Sequence, residues 1–156
     1  TALRASGCKI EQRHNTLQII SDGRLNAPGK IVTAPYPGFP TDAQAPLMAA
    51  LLRAKGESEF VETIFENRLR HTAQLRKMGA RIVTDGQRAV VSGVERLYGA
   101  ALQAQDLRAG AALVIAALSA DGKSEISGVK HIKRGYDSLE ENLKSLGADI
   151  KTVEIA

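Results

Sequence analysis

Residues Leu75 to Ile82 read LRKMGARI, an amphipathic run that closes on Gly79 and turns directly into a strand start. Glycine at such a point supplies the left-handed backbone in which helices commonly end. The arrangement returns as LKSLGADI at Leu143 to Ile150 and as LRASGCKI at Leu3 to Ile10, so the same closure occurs three times. Working outward, Asp42 begins a helix-like run ending at Gly56, and Asp106 begins another ending at Gly122. Twelve residues carry the chain from Gly56 to Arg68, and twelve from Gly122 to Arg134. The two arginines therefore read as repeat equivalents, each at the start of the second helix of a unit. One unit reads strand (Ile31 to Thr33), helix, strand (Glu59 to Thr63), helix, strand (Ala80 to Val83) and strand (Ala89 to Val91). Asp85 and Gly86 are the turn residues joining the last two strands. The spacing predicts an α/β chain of repeated βαβαββ units that share cores. Residues 1–33 form the tail of one unit and the first strand of the next, 34–100 the main unit, and 101–156 a final partial unit.

The 156 residues suffice to bury a core as one domain or two small units. Hydrophobic residues at 44% and charged residues at 24% describe a soluble globular chain with no low-complexity segment. The formal charge of +4 is scattered, which suits small anionic ligands better than a polynucleotide track. Only three Tyr and three Phe are available for base stacking, so nucleic acid is not an expected partner. Cys8 is the single cysteine, which rules out an internal disulfide and makes a reducing cytoplasm the expected location. The longest apolar stretch, Ala109 to Leu118, is too short to span a bilayer, and the N-terminus lacks the regions of a signal peptide. No membrane association is expected. His14, His71 and His131 lack metal-ligand spacing, and the chain holds no HExxH, paired-cysteine, GxxxxGK[ST] or GxGxxG pattern. Neither a metal nor a cofactor is therefore expected.

Between the strand at Ile31 to Thr33 and its helix lies PYPGFPTD, Pro35 to Asp42. Its three prolines and a glycine stiffen the strand exit and present Asp42 at a helix start. On the residues alone, Asp42 is either an N-cap aspartate or a presented functional carboxylate, and Asp106 reads in the same two ways. Arg68, Arg108 and Arg134 are the candidate anion holders, because guanidinium offers a planar fork that fits carboxylate and phosphate. The plain alternative is three exposed helix-end arginines. Ile64, Phe65 and Tyr136 read by default as core side chains, and Cys8, just after Gly7, as a small packing residue.

PYPGFPTD is followed in order by ETIFENR (Glu62 to Arg68), QDLRAGAALVIAAL (Gln105 to Leu118) and HIKRGY (His131 to Tyr136). Together these blocks resemble the UDP-N-acetylglucosamine 1-carboxyvinyltransferase family of enolpyruvyl transferases. The resemblance covers nearly the whole chain and the C-terminal portion of a family member. It implies part of an inside-out α/β barrel domain of enolpyruvyl transferase type, with a missing N-terminal domain of the same enzyme as partner. It also implies transfer of the enolpyruvyl group from phosphoenolpyruvate to the 3-hydroxyl of UDP-N-acetylglucosamine, the first committed step of peptidoglycan synthesis. Under that resemblance Asp42 matches the residue that contacts the 3-hydroxyl and serves as the proposed base. Ile64 matches a residue whose backbone touches the sugar nucleotide. Arg68, Arg108 and Arg134 match arginines around the phosphoenolpyruvate site, the last being associated with domain closure. Asp106 matches a residue proposed to assist the second step. The family's cysteine proton donor belongs to the absent domain, so Cys8 does not fill that role. Two departures stand out: Lys133 occupies a usually acidic place, and Leu69-Arg70 replaces a common Phe-Met.

The resemblance implies that this chain alone is inactive and self-associates through uncovered apolar surface. Two other readings remain at this point. The shikimate-pathway enolpyruvyl transferase shares fold and reaction, although PYPGFPTD with ETIFENR favours the amino-sugar enzyme. A βαβαββ RNA-binding module is the non-enzyme reading, and a steep salt dependence of RNA binding would mark it.

Overall fold

Alternation of apolar residues along four short strands builds the main sheet. These are β3 (Lys30–Val32), β4 (Glu57–Val61), β5 (Arg81–Asp85) and β6 (Arg88–Ser92), in the order β3-β4-β6-β5. β3 and β4 are parallel, while β4–β6 and β5–β6 are antiparallel. Because successive side chains point to opposite faces, Ile31, Ser58, Phe60, Ile82, Ala89 and Val91 all fall on one side and are buried. Lys30, Val32 and Val83 face outward. Against the buried side lie two helices, α2 (Gln44–Ala50) and α4 (Leu107–Leu118), which also pack on each other. α4 is rich in Ala and Leu, both strong helix formers, and seven of its residues are buried. Helices inside and sheets outside is the arrangement implied for an inside-out barrel. Phe60, Met48, Leu51, Leu52, Leu75 and Leu113 are fully buried, and each such side chain contributes about 1.5–3 kcal/mol.

The computed structural model describes residues 1–153, so the last three residues of the expected final unit lie outside the described residues. Before the main sheet come α1 (Ala2–Ala5) and the hairpin β1 (Lys9–Arg13) and β2 (Thr16–Ile20). α3 (Thr72–Lys77) follows β4. After β6 come β7 (Ala101–Gln103), α4, β8 (Glu125–Ser127), α5 (Val129–Lys133) and α6 (Leu139–Ser145). β7 and β8 pair in parallel, as β3 and β4 do. Ile132, Ala104 and Val114 form a small second cluster on which Tyr136, Leu139, Leu143 and Ile150 pack. Among the described residues no helix is long and apolar enough to cross a membrane.

The repeat extends to individual hydrogen bonds. Gly7 and Gly79 close their helices at φ +95° and +89°. Lys9↔Ile20 through Arg13↔Thr16 reproduces the register of Arg81↔Ser92 through Asp85↔Arg88. The Asn26 N–H donates to Ser6 O as the Tyr98 N–H donates to Met78 O, and Ala27 reaches Lys55 O as Gly99 reaches Asp121 O.

Three local expectations need correction. The strand expected at Glu59 to Thr63 is Glu57–Val61: pairing ends where the partner strand β6 begins at Arg88, with the Glu62 N–H still donating to Gln87 O in the adjoining turn. Asp85 is a paired strand residue facing Arg88, so the turn is Gly86-Gln87. Arg134 does not start the second helix: the extra helix α5 follows β8 at once, so the same count from the glycine lands Arg134 at the C-terminus of α5. In the first unit, by contrast, Arg68 opens a 3-10 turn (Arg68–His71) that leads into α3.

Gly93 marks the tightest backbone approach to the core. A Cβ there would stand 1.6 Å from the Ala54 carbonyl oxygen, and neither backbone can yield without breaking the bonds Gly93 N–H to Gly56 O and Val94 N–H to Leu52 O. Gly93→Ala should destabilise the chain by about 2–3 kcal/mol or more through overpacking, read as a lowered urea midpoint at unchanged slope. A midpoint equal to that of the unsubstituted chain would contradict this packing.

Candidate active site

The proline loop folds back on itself. The Gly38 N–H donates to Pro35 O at 2.8 Å and the Ala34 N–H to Phe39 O at 2.9 Å, while the Tyr36–Pro37 peptide is cis. Only glycine fits position 38, since a Cβ would lie 2.5 Å from that of Ala34. The fold-back returns Thr41 to the side of Thr33, and a 3-10 turn (Thr41–Ala43) then leads into α2.

Asp42 lies inside this turn and makes no capping bond; the residue in the cap position is Pro40. Its carboxylate instead joins two arginines from distant parts of the chain. Arg68 Nη2 approaches Oδ1 at 3.2 Å, and Arg108 Nε donates to the same oxygen. The arginine side chains are 15% and 29% exposed and that of Asp42 is 63% exposed, so two largely buried stems aim their heads at a surface carboxylate. The hydrogen bond from Arg108 lowers the Asp42 pKa below its ordinary 3.8; slight burial opposes this, and the charges of Arg108 and Arg68 reinforce it.

Phe65 is not a core residue. It is 50% exposed, and the Arg68 guanidinium carbon stands 4.8 Å from its ring centroid, a cation–π contact. Ile64 is also no core strand residue: it lies beyond β4, is 38% exposed, and has its backbone N–H bound to Glu62. Asp106 is an N-cap, accepting the Arg108 and Ala109 N–H groups at 2.9 Å each. Arg134 is exposed, with no hydrogen bond or ion pair among the described residues. Its neighbour Gly135 presses on Leu107, which brings Arg134 to the same end of α4 as Asp106 and Arg108. Tyr136 is half-buried and packs on the second cluster. Cys8 is buried.

Sequence reasoning missed Glu62, which is 1% exposed. Its carboxylate accepts from the Thr33 and Thr41 hydroxyls at 3.0 and 2.9 Å and from the Ile64 and Phe65 N–H groups at 2.9 and 3.2 Å. The available signal was an acidic residue ending an apolar strand, with threonines at 33, 41 and 63. Beside these groups a cleft of about 390 Å³ is lined by Phe65, Glu66, Asn67, Arg68, Arg70, Gln105 and Asp106. Two guanidinium groups at one mouth suit a small ligand carrying carboxylate or phosphate.

Solved structures share this architecture. The enolpyruvyl transferase NikO from Streptomyces tendae matches with a TM-score of 0.87 and 28% identity, over 96% of this chain and 34% of NikO. EPSP synthase from Acinetobacter baumannii matches in fold with a TM-score of 0.74 at 23% identity, over 97% of this chain and 36% of that one. The fold is thus that of the enolpyruvyl transferases. Residues 1–143 match the family described as EPSP synthase (3-phosphoshikimate 1-carboxyvinyltransferase), and the chain belongs to that family. Curated relatives include the UDP-N-acetylglucosamine 1-carboxyvinyltransferases of Novosphingobium aromaticivorans, 52% identical over 97% of this chain, and of Finegoldia magna, 48% identical over 98%. The chain spans 35% and 36% of their lengths.

His71 lies directly behind Arg68, with Nδ1 3.1 Å from Arg68 O and Nε2 buried without a partner. Burial pushes its pKa from 6.5 down to about 4. Between those values the unfolded chain binds a proton that the folded chain refuses. Its stabilising effect is therefore complete above pH 6.5 and is lost as pH falls towards 4, by at most about 1.4 kcal/mol per unit. Urea titrations at neutral and mildly acid pH should show a larger loss in the parent chain than in His71→Gln. Equal losses would mean that His71 is not held neutral by burial.

Proposed function

We propose that this chain carries the sugar-facing and anion-holding portion of an enzyme that transfers the enolpyruvyl group of phosphoenolpyruvate to the 3-hydroxyl of UDP-N-acetylglucosamine. In this reading residues 1–33, 34–100 and 101–156 are the tail of one unit, the main unit and a final partial unit. The observation that carries the reading is one surface carboxylate, Asp42, held between Arg68 and Arg108 beside a cleft. Asp42 takes the proton of the sugar hydroxyl, whose oxygen attacks C2 of phosphoenolpyruvate while C3 gains a proton from a donor outside this chain. The tetrahedral adduct then loses a proton from C3, with Asp106 assisting, as the C2–O bond to phosphate breaks and the C2=C3 double bond re-forms. Arg68, Arg108 and Arg134 hold the carboxylate and phosphate, and the Ile64 backbone meets the sugar nucleotide.

A carboxylate paired with two guanidinium groups is a weak base at rest. When the substrate's anionic groups draw those cations towards themselves, Asp42 loses the interactions that depress its pKa and gains basicity. The acceptor is assigned to the amino sugar rather than shikimate 3-phosphate because curated relatives at 47–52% identity bear the amino-sugar name. Calorimetry with both acceptors decides between them. The reaction would supply the first committed precursor of peptidoglycan, in the cytoplasm.

In the complete enzyme, Asp42→Asn keeps a hydrogen-bonding side chain but removes the proton acceptor. It should lower kcat by roughly 10²–10⁴-fold, with far less effect on sugar-nucleotide affinity. A near-normal kcat in a stably folded variant would remove Asp42 from the role of base.

The 156-residue chain by itself should release no phosphate from the two substrates, because it spans about a third of its relatives. Turnover by the purified chain, free of longer enzyme, would refute this. Leu17 and Ile19 stand 62% and 50% exposed on β2, where their repeat equivalents Ala89 and Val91 are buried. That face is proposed to meet the remainder of the enzyme. The chain alone should therefore self-associate in light scattering, and a monodisperse monomer at high concentration would count against this.

A further inference from the structure

The Glu62 carboxylate is 1% exposed and takes four hydrogen bonds from the protein. Oε1 takes the Thr33 hydroxyl and the Ile64 and Phe65 N–H groups, and Oε2 takes the Thr41 hydroxyl. A carboxylate buried under four protein donors is placed to hold other groups rather than to meet a substrate. Three of its four donors lead straight to the site. Thr41 precedes Asp42, and its Oγ1 also receives Arg68 Nε at 3.4 Å. Ile64 and Phe65 follow in the next loop, and the Phe65 ring supports the Arg68 guanidinium.

We propose that Glu62, acting through the Thr41 hydroxyl, is a positioning residue that sets Arg68 against Asp42 and fixes the Ile64–Phe65 backbone. The functional meaning rests on the enolpyruvyl-transfer reading, whereas the geometry stands independently of it. The direction of one proton is decisive. An ionised carboxylate only accepts, so the Thr41 hydroxyl must donate to Glu62, which leaves its lone pairs for Arg68. A glutamine at position 62 can keep its oxygen under the three donors of Oε1. Its amide then faces Thr41, whose oxygen must accept from it and is shared with Arg68. Glu62→Gln thus keeps the loop and loosens the arginine.

Nitrogen-15 NMR of the Arg68 Nε–H in the full 156-residue chain reads this directly, with the signal assigned by its loss in Arg68→Lys. The parent chain should show a slowly exchanging signal displaced from the free-arginine position. Glu62→Gln and Thr41→Val should return it to that position while the core methyl spectrum stays folded, and Thr41→Ser should restore it. An unchanged Arg68 signal in folded Thr41→Val overturns the proposal, whether or not Glu62→Gln folds. In the complete enzyme, Thr41→Val should lower kcat by about 10–100-fold, with recovery by Thr41→Ser, as expected when a reacting constellation is displaced slightly. Absence of enolpyruvyl transfer in the unsubstituted complete enzyme would refute the functional reading, while the Arg68 signal would still decide the positioning role.

Discussion

A buried, fully hydrogen-bonded carboxylate at Glu62 is the constraint from which the site's geometry follows. An unpaired charge at 1% exposure costs several kcal/mol, so its donors must be present whenever the chain is folded. Two of them, Thr33 and Thr41, lie on either side of the proline loop, and that loop must therefore double back. Stiffening it with three prolines and the tight Gly38 turn removes much of the freedom that the doubling back would otherwise cost. The other two donors are successive amides after β4, which hold Ile64 and Phe65 outside the strand and place Phe65 in the cleft wall. One side chain thus sets two loops that leave the same, C-terminal end of a parallel strand pair.

Much of the backbone was legible in the sequence because it is governed by local rules that repeat. The glycine closures at 7, 79 and 147 have left-handed φ, as the three LxxxG runs implied. The hairpin after Gly79 and the long apolar helix after Asp106 lie where periodicity put them. Polar side chains were less legible, since their partners are distant in sequence. Asp42 meets Arg108 across 66 positions and Arg68 across 26, and no local pattern encodes either pair. Glu62 was hidden for a related reason: inside a recognised motif it reads as one more strand-end acid. Phe65 was misplaced because an aromatic is buried by default, whereas here a guanidinium supplies its partner surface. Arg134 shows the limit of counting, because an equal spacing from a glycine does not guarantee an equal local structure once a short helix such as α5 intervenes.

The repeat also shows how two equivalent aspartates come to differ. Asp42 and Asp106 each stand at the start of the first helix of a unit, and a simple copy would make both caps. At Asp106 the chain enters α4 extended, with φ −149°, so the carboxylate faces the exposed amides of the first turn and its Oδ1 accepts two of them. At Asp42 the preceding Pro40 already holds the extended cap position, and its carbonyl accepts the Ala43 N–H through the 3-10 turn. Moving the aspartate two places into the turn frees its carboxylate from the backbone. Arg108, which follows the capping Asp106 by two residues, is thereby carried on a firmly capped helix end towards the aspartate that does not cap. The two halves of the duplicated element thus do different work. One anchors a cation through its backbone, and the other presents the carboxylate that the cation meets.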